Sequence, residues 1–108
     1  MTNLENFWKD IQKGVVELAE QNLKDYKDSA INDGLAFIVK GKEKISLWVQ
    51  QLADGEINQN DFEFLFNSQK DLMEMQALTK LGLAKARMDQ FKSDLVNLVI
   101  SKGLKTII

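Results

Sequence analysis

Not one proline occurs in this 108-residue chain. Inside a helix, proline removes a backbone hydrogen bond and clashes with the preceding turn, so its absence leaves no residue that forces a helix to stop. Interruption falls to glycine and to clusters of turn-forming residues. The best-formed cluster is Leu52-Ala53-Asp54-Gly55-Glu56-Ile57-Asn58-Gln59-Asn60-Asp61-Phe62. Gly55 suits the left-handed position just past a helix end. Asn58 then caps the next helix, with Asp61 three residues on in capping-box spacing, an aspartate standing for the usual glutamate. Ile57 and Phe62 occupy the positions of a hydrophobic staple, and Asp61 and Glu63 put acids in the first turn, where the helix end is positive. The stretch predicts one tight helix–helix corner at 54–58. As a calcium loop with Gly55 in sixth place it fails, because Leu52 falls on a ligand position with no oxygen to offer and Asp61 is short for the bidentate twelfth position.

On both sides of the corner apolar residues recur every eleven positions. One track runs Leu4, Val15, Tyr26, Phe37, Trp48 and another Trp8, Ala19, Ala30, Gly41, Leu52; beyond the corner come Phe62, Met73, Ala84, Leu95 and Phe66, Ala77, Met88, Val99. Eleven residues make three turns at about 3.67 residues per turn, so such tracks hold one side of a nearly straight helix. With Thr2-x-x-Glu5 as a starting cap, the expectation is all-α: a long antiparallel helical hairpin with arms 3–53 and 59–102, roughly 75 and 65 Å long. The alternative is a four-helix up-down bundle, if the chain breaks near 29–34 at Asn32-Asp33-Gly34 and near 79–82 at Gly82. Either form is a single helical domain, 1–108.

Composition narrows the chemistry. The chain has no cysteine and no histidine, which removes disulfides, thiolate catalysis, the usual zinc sites and catalytic triads. Fourteen basic against sixteen acidic residues give a net charge of −2, so no overall field holds a polyanion and nucleic acid is not expected. No apolar run reaches membrane-spanning length, and the acids and amides of the N-terminal stretch are unlike a signal peptide. The expected location is cytoplasmic, or peripheral to a membrane.

The nearest catalytic constellation is Glu17 and Glu20 with Asp71 and Glu74, carboxylates one turn apart that could hold magnesium between facing helices. In the eleven-residue frame these acids point away from the apolar tracks, so they read as a solvated face. No enzyme activity and no cofactor or metal is expected. A lone helix pair leaves much surface wet, and Ile31, Leu35, Val39, Phe64, Met75 and Leu78 lie off the main tracks; they are the candidate interface. The reading is therefore a non-enzymatic, self-associating helical structural or adaptor protein, a homo-oligomer with a dimer favoured, with a protein partner also open to it. The alternative is a peripheral lipid-binding protein. Residues 76–108 carry six basic residues against Asp89 and Asp94, and the apolar, basic tail suits an anionic lipid surface.

Overall fold

The computed structural model describes residues 3–107, side chains included except at residues 3, 4, 71, 106 and 107. The cap expected at Thr2 and the side chains of Leu4 and Asp71 lie outside the described residues. Helix α2 (Lys27–Ala53) ends and a second helix, Gln59–Gln69, begins at the corner expected at 54–58. Gly55 has φ +77°. Its N–H donates to the Leu52 carbonyl at 3.2 Å, and the Glu56 N–H donates to the Gln51 carbonyl at 2.9 Å, the paired bonds of a Schellman close. The Asn58 side chain accepts from the Asp61 N–H at 2.8 Å while the Asp61 carboxylate accepts from the Asn58 N–H at 3.2 Å. Phe62 is fully buried and Ile57 packs against the core.

The other helices are α1 (Asn3–Asn22), which precedes α2, and two that follow α3 (Gln59–Gln69): α4 (Gln76–Lys80) and α5 (Lys85–Ile107), with short 3-10 turns at Lys24–Tyr26 and Lys70–Leu72. The fold is all-α, as expected. Its Cα radius of gyration is 13.8 Å and its principal extents are 42 × 28 × 20 Å. A globule of this length is expected near 13 Å, and the 27 residues of α2, about 40 Å of helix, account for the long dimension. The compact form is thus the one observed. The hairpin at 54–58 is present, but its arms are α2 and α3 and do not extend over 3–53 and 59–102.

The first break falls at Leu23, not at 29–34. Leu23 leaves helical geometry (φ −132°, ψ 49°) and is buried at 2% exposure. Arg87 of α5 donates to the Asn22 carbonyl at 3.4 Å and lies 5.6 Å from the Tyr26 ring, and the Asn22 amide donates to Asp94 at 3.1 Å. A helix running on past Asn22 would carry Ala30, Ile38, Ile45 and Val49, all buried here, away from α5 into water. Burial and these contacts decide the corner, since no local breaker does.

Asn32-Asp33-Gly34 continues inside α2. Gly34 is where α2 meets α1: an added Cβ would lie 2.7 Å from Val15 Cγ1. Asp33, 3% exposed, accepts the Ala77 N–H at 3.0 Å and the Leu78 N–H at 2.8 Å. These are second and third residues of α4, the donors a helix cap normally satisfies. Met75, in the cap position, makes no side-chain cap bond, so the cap is supplied from α2. The second break comes in two parts, an unforeseen one across 70–75 and the expected one at Gly82. Gly82 has φ +77°, and its N–H bonds the Thr79 carbonyl at 3.0 Å while the Leu83 N–H bonds Leu78 at 3.2 Å, a second Schellman close.

One core joins all five helices. Phe7, Ile11 and Val15 of α1 meet Phe91, Leu95 and Val99 of α5, with Phe62 and Phe66 of α3 closing the far end. Phe62 and Phe66 stack edge to face at 4.8 Å, and Phe66 does so with Trp48 at 5.1 Å. Gly103 lets α5 approach α3, with an added Cβ 2.7 Å from the Phe62 ring. The apolar tracks land largely in this core, although Ala84 is exposed.

Candidate interaction face

The six expected interface residues divide three ways. Met75 (3%) and Leu78 (0%) are core residues. Ile31 and Leu35 are half-buried and pack against the core from α2. Val39 (73%) and Phe64 (72%) point into solvent. The structure therefore does not bring the six together on one surface. Met75 and Leu78 turn inward because the helical phase counted from Phe62 does not survive 73–75, where the chain is extended: Met73 has φ −68°, ψ 130°. In extended chain side chains alternate, and accordingly Met73 and Met75 are buried while Leu72 and Glu74 are exposed. Apolar–polar alternation across Met73-Glu74-Met75 is the available signal.

Among the described residues the large exposed apolar side chains are Val39, Leu47, Phe64, Leu72 and Leu81. All lie within residues 39–81, and neither α1 nor α5 contributes one. Of these Leu72 lines a groove of about 610 Å³ between the extended segment and α2. Ala36, Phe37, Gly41, Leu72 and Met73 give it apolar walls, and Lys40 and Lys44 stand on its rim with Glu74, Gln69 and Gln76. Lys40 and Lys44 are one helical turn apart, both exposed, so they repel each other modestly. Glu74 accepts a hydrogen bond from the Gln76 amide at 3.0 Å. Asp33, at the groove's end, is committed to the start of α4.

The acids considered for magnesium are spread apart. Glu17 and Glu20 are exposed on α1, Glu20 lies 3.6 Å from Lys27, and Glu74 is on the groove rim. Among the described residues no three acids, histidines or cysteines gather where they could hold a metal ion. Among the described apolar residues of the C-terminal segment, Phe91, Leu95, Val96, Val99 and Ile100 are in the core and Leu98 and Leu104 are half-buried against it, and no helix among the described residues is long and apolar enough to cross a membrane. Compared with models of protein families the chain matches none, and neither a curated protein nor a solved structure matches it.

Proposed function

We propose that this chain is a non-enzymatic helical interaction module that associates with itself, as a structural or adaptor element. One observation carries the reading: among the described residues the large exposed apolar side chains, Val39, Leu47, Phe64, Leu72 and Leu81, fall between residues 39 and 81, and none of them is in α1 or α5. Scattered apolar residues are ordinary on any protein surface. Their concentration in one stretch of the chain, with Leu72 on the wall of an apolar groove, is what favours an interaction face. The absence of histidine and cysteine from the sequence and the dispersal of the acids support a role without catalysis.

Lipid binding through residues 83–108 draws less support, because most of the described apolar side chains of α5, Phe91, Leu95, Val96, Val99 and Ile100 among them, are spent on the core. Sedimentation separates the readings. Wild-type protein is expected to gain mass with concentration, and Val39→Lys with Phe64→Lys, both changes at exposed positions, to hold it at the mass of one chain. Mass unchanged by the double substitution, together with flotation of the wild type on anionic liposomes, would overturn the reading in favour of the lipid surface.

A further inference from the structure

Resting on that self-association, we infer that the groove between α2 and the 69–76 segment receives α3 of a second copy, with Phe64 seated between Phe37 and Leu72. Three observations converge on this occupant. Phe64 projects from α3 directly away from Phe62 and Phe66, at 72% exposure, and so presents an aromatic ring that the chain's own core does not use. Large aromatic side chains entering apolar pockets are the usual anchors of an interface. The groove's rim carries Lys40 and Lys44, for which no described residue of the same chain supplies an ion pair. Phe64 travels with the opposite charge: Asp61 stands one turn before it on the outer side of α3 and Glu63 beside it. Bringing those acids to the lysine pair relieves a like-charge contact in one copy and places opposite charges face to face across the interface.

Gln69 lines the groove and belongs to the same helix as Phe64, five residues on and so about 7.5 Å along the axis and about 140° around it. In the proposed dimer the two copies exchange these sites about a two-fold axis, each chain filling the other's groove, which ends assembly there. Glu74, the acid on the rim, is drawn toward Gln76 by its hydrogen bond.

Sedimentation velocity over a concentration series tests this with wild type, Phe64→Ala, Leu72→Ala, Lys40→Glu/Lys44→Glu, and the last with Glu63→Lys added. The changed side chains at 64, 72, 40 and 44 are exposed, and circular dichroism melts check that each variant stays folded. Phe64→Ala and Leu72→Ala are expected to raise the dissociation constant about ten-fold or more, the effect of losing a buried apolar side chain. Charge reversal on the rim should do the same, added Glu63→Lys should recover part of the loss, and wild-type association should weaken with salt. If wild type associates but Phe64→Ala and the lysine reversal match it, the docking mode is wrong while self-association stands. If wild type keeps the mass of one chain at every concentration, the proposed function falls and the docking mode with it.

Discussion

Replacing Asp33 by alanine puts the tertiary cap to a quantitative test. Two backbone donors lose their acceptor, and their surroundings differ: the bond to Leu78 is buried and the bond to Ala77 only partly so. A stranded buried N–H costs about 1–3 kcal/mol, since water cannot replace the lost partner. The Ala77 donor can recruit water, and its loss is closer to an ordinary cap deletion, about 1 kcal/mol. Against this, alanine favours the interior of α2 over aspartate by roughly 0.5 kcal/mol. The net expectation is a destabilisation of about 2–3 kcal/mol, a large share of the roughly 5–15 kcal/mol that holds a domain together. Asp33→Asn keeps one acceptor and should lose about half as much, and Asn32→Ala, at the exposed neighbour, should stay within about 0.5 kcal/mol. Urea unfolding reads all three: at an unchanged slope of about 1–3 kcal/mol/M, the Asp33→Ala midpoint falls by roughly 0.7–3 M. Hydrogen exchange adds position, with the Leu78 amide losing its protection first. An Asp33→Ala midpoint equal to that of Asn32→Ala would refute the claim that α2 holds the start of α4.

The glycines separate by what a methyl group would meet. Gly34→Ala drives Cβ to 2.7 Å from Val15 Cγ1, a branch stiff at χ1, and should lower stability by about 1–3 kcal/mol; Gly41→Ala meets only Ile45 Cδ1 at 3.4 Å and should raise it by about 0.5–1 kcal/mol, both read from urea midpoints. Gly82→Ala puts a side chain at φ +77° and should cost about 1–2 kcal/mol, seen as a lower Tm. Arg87→Ala removes the contact with Tyr26 and the bond to the Asn22 carbonyl; the loss should be about 0.5–1 kcal/mol, with exchange rising first at Leu23 and Tyr26, whose amides bond across the corner.

What the sequence discloses follows the range of the interactions. The corner at 54–58 was readable because Gly55, Asn58 and Asp61 act on backbone groups within a few residues of themselves. Gly82 was readable for the same reason. The corner at Leu23 was not, since Arg87, 65 residues on, and the burial of Leu23 itself make it, and nothing in Asn22–Tyr26 breaks a helix. Asp33 misled in the opposite sense. Beside Asn32 and Gly34 it resembles a turn, but its partners lie 44 and 45 residues away and Gly34 marks a helix crossing. The apolar tracks located core positions such as Val15, Ala19, Phe62 and Leu95, because each helix keeps its own phase, yet a stripe cannot report whether the helix between its points is continuous. For the same reason Val39 and Phe64, inside α2 and α3, were placed correctly on the outside, while Met75 and Leu78, beyond the extended residues 73–75, were not.

Sedimentation equilibrium on the unmodified chain is the most direct test of the idea that a fold with a closed core turns residues 39–81 toward a second copy. The account predicts a weight-average mass that climbs with concentration from 12.3 kDa and levels off at twice that value. A mass fixed at 12.3 kDa across the full concentration range would contradict it.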